Sequence, residues 1–321
     1  MSTSTGALYI SERATLLRAA RSYFDEQGFI EVDTPVLAPA LVPEPSIEIF
    51  ATEVLGTLPA PLYLVPSPEV WMKRLLAAGS PRLYQIGHAF RNLEEQGSWH
   101  RAEFSILEWY DTTRSWRQAQ DSTTGLLRRV AAQLRASGAT TVAALDAEPL
   151  VMTMAALCST AVGLPLVTQS AAELRDIAER LGVAWQAEDS WEVLFHRLFL
   201  AHVEQTIPTD RPVFVTDFPS RVPTLAKTTS GAATSQRWEL YLGGVELANC
   251  YQEETNRDRL QAVYAAETAR LVHSRTRRRT DWQLIDTFAD APDCSGVALG
   301  VDRLLALALG AESLVQVLPF G

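Results

Sequence analysis

Residues 294–310, CSGVALGVDRLLALALG, place an apolar helix directly behind two glycines and open it with an Asp–Arg pair. Leu304, Leu305, Leu307, Ala308 and Leu309 read as a buried helix, and an arginine is seldom buried without a partner. Gly296 and Gly300 remove side chains where the chain enters the helix, which lets a ligand approach the backbone. Asp302 stands where it can cap the helix. Arg303 then has two readings. It is either a core arginine paired with a buried carboxylate or a fixed clamp for phosphate.

The rest of the chain narrows the choice. Its 321 residues are 47% hydrophobic and 21% charged, an ordinary globular composition with enough apolar mass for a large core. No apolar run is long enough for a membrane span, and the opening MSTSTGALYI has neither the basic start nor the apolar stretch of a signal peptide. Cys158, Cys250 and Cys294 form no CxxC pair and read as free thiols of a reducing, cytoplasmic compartment. A net charge of −10 argues against a polyanion held by the protein as a whole. The one basic run, with Arg275, Arg277, Arg278 and Arg279, reads as a solvated helix end or loop.

Periodicity predicts one α+β domain over residues 1–321, an antiparallel sheet flanked by helices, with a weakly patterned helical insertion at about 115–205. SERATLLRAARSYFDEQG (11–28) is a helix with Ser11 as its cap, and FIEVDTPVL (29–37) a strand stopped by Pro35. A proline-rich stretch holds a short strand at SIEIFATEV. SPEVWMKRLLAAG (67–79) is a second helix, capped by Ser67 with Pro68 in its first turn. Two hairpins follow: RLYQIGHAFRN with HRAEFSILEWYDT, and RWELYLGGVELANCYQEE.

The chemistry gathers on the hairpins. Phe104, Ile106, Glu108 and Tyr110 share one strand face by parity, and a carboxylate on such a face needs a cation. That cation is either a substrate amine or Arg91, which ends the opposite strand. His100 begins the second strand and, with Arg91, can reach phosphates across the loop. In the second hairpin a two-residue Gly243–Gly244 turn sets Tyr241 opposite Glu246, with Glu239 on the same face. Two carboxylates on one face repel unless a cation separates them, and hard oxygen ligands suit Mg²⁺ together with phosphates; otherwise the face is solvated. Asn249, Tyr251 and Glu253 have the other parity, so they line the same pocket only if the strand bulges between Glu246 and Asn249. Arginines for anions, paired acids for a metal, an aromatic for stacking and further acids for an amine together fit activation of a basic amino acid with Mg-ATP.

These segments resemble the class II aminoacyl-tRNA synthetases. GFIEVDTPVL is similar to their motif 1, FRN…H…EFSILEWY to motif 2 and GVALGVDRLLALALG to motif 3. SPEVWMKRLLAAG and GGVELANCYQEE resemble lysyl-tRNA synthetase, and LEWY and PDCSGVALGVDRLLALALGAES resemble its shorter paralogues. The resemblance implies the class II catalytic fold, ATP and Mg²⁺, and a role for each matching residue. Arg91 would touch the amino-acid carboxylate and α-phosphate, with Asn92 beside it at the nucleotide. His100 and Arg303 would bind the distal phosphates. Phe104 would stack on adenine, and Gly300 would leave room for ATP. Glu239 and Glu246 would hold Mg²⁺. Ser67, Glu69, Glu108, Tyr110, Asn249, Glu253 and Ala298 would line the lysine pocket.

Residues 1–321 leave no room for the N-terminal anticodon-reading domain of lysyl-tRNA synthetases, which argues against tRNA as acceptor. The shorter paralogues imply lysine or (R)-β-lysine as substrate, a lysine side chain of elongation factor P as acceptor, and a homodimer built on motif 1. The chain departs from the family at Leu93, at Arg101–Ala102 and at Cys250. Two other readings share the pocket: a stand-alone amino-acid activator serving a carrier protein or small molecule, and a regulatory paralogue that binds ligand without chemistry. Retention of Arg91, Glu239, Glu246 and Arg303 speaks against the last.

Overall fold

The structure is a computed structural model describing residues 9–56, 60–93, 97–228, 233–289 and 291–319. The chain divides into two compact units, one formed by the residues up to Val142 and from Glu253 onward, the other by Ala143–Gln252.

In the first unit, helix Ile10–Glu26 buries Leu16, Ala19, Ala20 and Phe24 at helical spacing. Ser11 does not cap it: Tyr9 is the N-cap, and Ser11, already inside the first turn, donates to Glu12 at 2.8 Å. The following segment is extended for only two paired residues, Ile30–Glu31, which run parallel to the start of strand Arg82–Phe90. That strand pairs antiparallel with Glu103–Asp111, which pairs in turn with Ser295–Gly300. A small second sheet joins Leu37–Ala38, Ala60–Leu64 and Ala51–Val54.

Register divides the main sheet into a core face and a site face. Tyr84 lies opposite Trp109, and Phe24 packs on both, with ring centroids 4.8 and 5.2 Å away. One residue along, the pleat turns Gln85 opposite Glu108 and Leu83 opposite Tyr110 toward the other face. On the third strand Gly296 faces Tyr110, Ala298 faces Glu108 and Gly300 faces Ile106. Large residues therefore fill the core side, whereas small ones alternate along the site side of that strand.

In the second unit, strands Leu150–Thr153 and Val213–Thr216 are parallel, and the latter runs antiparallel to Arg237–Leu242, which pairs with Val245–Gln252. Helices Met154–Val162, Ala171–Arg180 and Trp191–Leu198 pack around a core that includes Leu174, Leu194, Phe195 and Val213. The region expected to be mostly helical also contains a strand at Leu150–Thr153. Its four residues are too few to show a period beside the helix that follows at once.

Candidate active site

Helix Glu69–Ala77 starts after Pro68, and the Ser67 hydroxyl accepts the Glu69 amide at 3.1 Å while donating to Glu108 at 2.6 Å. Ser67 therefore ties the helix start to strand Glu103–Asp111. Tyr110 donates to the other oxygen of Glu108 at 2.7 Å. Burial pushes the Glu108 carboxyl up to about 8; Glu69 adds to the rise, while the two hydroxyl hydrogen bonds and Lys73 oppose it. Glu108 is thus held by Ser67 and Tyr110, whereas the Arg91 guanidinium lies over the Phe104 ring, 5.2 Å from its centroid.

Glu253 follows the second hairpin, and its amide is fixed by the Cys294 carbonyl at 2.9 Å. Its carboxylate is buried, which raises its proton affinity, and Lys73 acts against that rise. Sequence reasoning overlooked Lys73. Its ammonium lies 2.5 Å from Glu69 and 2.7 Å from Glu253, with both Lys73 and Glu253 only 3% exposed at the side chain. The signal was present, because Lys73 stands one helical turn after Glu69. Glu44, half-buried on the proline-rich loop, was also overlooked; burial and then Glu69 push its carboxyl up to about 7, against Arg91, Arg278 and Lys73.

Gly296 makes room for these side chains. A Cβ at Gly296 would lie 2.5 Å from both the Glu253 carboxylate and the Tyr110 ring. At Gly300 a Cβ would meet the Arg303 stem at an ordinary 3.5 Å. Asp302 does not cap helix Val301–Ala308; Gly300 is the N-cap. Asp302 is instead buried, where it accepts from Arg13 at 2.6 Å and from the Ser105 amide at 2.7 Å. This tether fixes the helix start to strand Glu103–Asp111. Arg303 is half-buried and donates through Nε to the Trp99 carbonyl at 3.1 Å.

His100 lies in the loop before the strand, which begins only at Glu103. In the same loop Asn92 accepts the Leu93 amide at 2.9 Å, and Leu93 adopts φ +54°, a conformation a branched side chain rarely takes. Arg101 folds back onto the His100 carbonyl at 2.6 Å. Residues 94–96 of the predicted polar loop lie outside the described residues.

In the second unit the Gly–Gly turn has φ +60° and +79°, as a two-residue hairpin requires. Glu246 pairs with Tyr241, a register shift follows between Glu246 and Ala248, and Asn249 then stands opposite Glu239. The expected bulge is present, and it brings Asn249 and Tyr251 to the face of Glu246 and Glu239. Glu239 accepts from Arg237 and, at 2.8 Å, from Tyr241. Arg237, also overlooked in the sequence, reaches Asn249 at 3.2 Å and lies over the Phe218 and Tyr251 rings, 4.4 and 5.4 Å from their centroids. Burial works against its charge, yet Tyr251, Glu239 and Glu246 hold it above the usual arginine value. Among the described residues no group of three or more His, Cys, Asp or Glu side chains is placed to hold a metal. Two carboxylates with hard oxygens nevertheless suit a Mg²⁺ that takes its remaining ligands from water and phosphate.

A catalytic fold of this kind, with buried Glu108 and Glu253 and the half-buried Glu69 linked through Ser67 and Lys73, defines an amino-acid-activating enzyme of the class II synthetase type. The family model described as tRNA synthetases class II (D, K and N) matches residues 3–321, and the chain belongs to that family. Within it, the chain is similar to proteins named elongation factor P–(R)-beta-lysine ligase. That of Vibrio cholerae serotype O1 is 36% identical over 319 residues, covering 97% of this chain and 94% of the relative. That of Vibrio parahaemolyticus serotype O3:K6 is 37% identical with the same coverage. That of Pectobacterium atrosepticum is 34% identical over 329 residues, 99% of this chain and 96% of the relative.

Proposed function

We propose that the protein activates (R)-β-lysine, or lysine, with ATP and transfers the aminoacyl group to a lysine side chain of elongation factor P. One observation carries the substrate class. Glu69, Glu108 and Glu253 meet around Ser67 and Tyr110 on the site face, where a diammonium substrate would satisfy them. The acceptor rests on the names of the relatives, which share about a third of their residues with this chain over nearly its full length.

Two steps suffice. A carboxylate oxygen of the amino acid attacks the α-phosphorus of ATP, pyrophosphate leaves, and an acyl-adenylate forms. An amine of the acceptor then attacks the acyl carbon, and AMP leaves. Neither step needs a covalent protein intermediate, so the protein's share is orientation and charge compensation. Arg91 holds the carboxylate against the α-phosphate. Asn92 and Phe104 contact the nucleotide, and Gly300 borders it. Arg303 and His100 take the distal phosphates. Glu69 receives the amine near the reacting carbon, and Glu108 and Glu253 the distal one, with Ser67, Tyr110, Asn249 and Ala298 shaping the wall. Glu239 and Glu246 would hold Mg²⁺, which offsets phosphate charge when bound, and Arg237 keeps Glu239 oriented. Residues 1–321 serve as one catalytic domain. Exposed Ile10, Ile30 and Val36, at 59%, 56% and 40%, support a homodimer through the motif 1 region, which light scattering of the purified protein would test. Cys158, Cys250 and Cys294 are free and buried, which suits a reducing cytoplasm. Among the described residues no helix is long and apolar enough to cross a membrane.

ATP–pyrophosphate exchange over a panel of amino acids, followed by transfer to elongation factor P, tests the reading. Lysine-type substrates should outperform norleucine by roughly 10³-fold or more, since norleucine leaves buried acids unpaired. Equal activation of norleucine would refute the pocket, and exchange without transfer would refute the acceptor.

A further inference from the structure

The buried ammonium of Lys73 has no place in the assignment above, although it touches two of the acids meant for the substrate. It lies on helix Glu69–Ala77, 2.5 Å from Glu69, 2.7 Å from Glu253 and 5.2 Å from the centre of the Phe288 ring. Burial alone would favour the neutral amine. The two carboxylates outweigh it, and Lys73 holds its proton well above the ordinary lysine range. Stability gives little reason for such an arrangement, because a buried ion pair is often no better than apolar packing of the same volume. Charge matching gives one.

Resting on the proposed lysine-type substrate, we infer that Lys73 is a positioning residue of the amino-acid pocket: its ammonium fixes the Glu69 and Glu253 carboxylates in place and cancels one of the pocket's negative charges. With substrate bound and Glu69, Glu108 and Glu253 all ionised, one internal ammonium leaves two negative charges, the number of ammonium groups on lysine or β-lysine. The other charged or titratable neighbours do not disturb this balance. Tyr110 and Tyr264 are held neutral by burial, and Glu44 faces Arg91 and Arg278 as well as Lys73. Asp281 is paired with Arg74 at 2.7 Å. Without Lys73, Glu253 would lose the group that opposes its protonation, and Glu108 would lose one that acts beside Ser67 and Tyr110. The pocket would then reach its working charge only at higher pH.

The test compares Lys73→Met, Lys73→Arg and wild type by the pH profile of kcat/KM for the amino acid in pyrophosphate exchange. Removing a cation in direct contact should move the acid limb up by about one to two pH units. At pH 7 the KM for lysine or β-lysine should rise roughly 10-fold or more with the KM for ATP unchanged, and Lys73→Arg should recover most of the loss. Calorimetry of lysine binding without ATP gives a second readout. Lys73→Met should release more protons on binding than wild type at pH 7, because its acids ionise only as the substrate arrives. If Lys73→Met does not fold, Lys73→Gln, which keeps a donor and loses only the charge, carries the same comparison. A folded, uncharged variant with an unmoved limb and unchanged proton release would overturn the inference. Failure of wild type to bind or activate any lysine-type substrate would overturn the proposed function, and the inference with it. Wild-type activity with an unmoved limb in the variant would overturn the inference alone.

Discussion

Replacing Glu108 with glutamine should reverse its effect on stability as the pH rises. Burial, reinforced by Glu69, lifts the Glu108 carboxyl from an ordinary 4.5 to about 8. On unfolding it returns to its ordinary value, so between these limits the native state holds a proton that the unfolded chain has lost. The stability this group contributes is complete below pH 4.5 and is lost as the pH climbs through 8. One proton of difference gives a slope of about 1.4 kcal/mol per pH unit at most, and the whole window up to about 5 kcal/mol. Glutamine has the same shape and nothing to titrate. Ser67 and Tyr110 both donate to Glu108, at 2.6 and 2.7 Å, and glutamine offers one acceptor oxygen for the two hydroxyls. That mismatch costs about 1 kcal/mol at all pH values. Urea unfolding at half-unit intervals from pH 5 to 8.5, at fixed ionic strength, should show Glu108→Gln slightly less stable than wild type at pH 5. It should overtake wild type on the way up and be clearly more stable at pH 8.5. A difference that stays flat over that range, or that runs the other way, would refute the assignment of Glu108 as a buried, proton-holding acid.

Gly296→Ala should raise the KM for the amino acid at least about 10-fold and destabilise the protein by about 1–3 kcal/mol, because its Cβ would lie 2.5 Å from the Tyr110 ring and the Glu253 carboxylate. Unaltered KM in exchange assays would place both side chains outside the pocket. Arg303→Ala and Glu246→Ala should each lower pyrophosphate exchange by ~10²-fold, the scale of losing one electrostatic contact in a transition state, and near-normal exchange in both would remove them from the nucleotide site. Ala298 stands opposite Glu108 in the register, so Ala298→Gly should shift the kcat/KM ratio from (R)-β-lysine toward α-lysine by a methyl's worth, ~1–3 kcal/mol. An unchanged ratio in a folded variant would leave Ala298 a packing role only.

Whatever follows from local repetition was legible in the sequence. The period of two put Phe104, Ile106, Glu108 and Tyr110 on one face, and the pairing Ala89↔Phe104 and Leu83↔Tyr110 agrees with it. The Gly243–Gly244 turn fixed which residues of the second hairpin meet, and the bulge required if Asn249 is to share the face of Glu246 is present after Glu246. Both depend on neighbours along the chain and on backbone geometry that side chains cannot change. Contacts between distant segments were decided only by the tertiary structure. Asp302 has the composition of a cap, but Arg13 and the Ser105 amide reach it first, and a buried acid takes the strongest donors within reach. Gly296 reads as room for a ligand until Tyr110 and Glu253 are seen to fill that room. Lys73 gains its role only when Glu253 arrives from the far side of the chain to face it. Sequence names the ionisable groups, whereas their charge depends on burial and on which partner folding delivers.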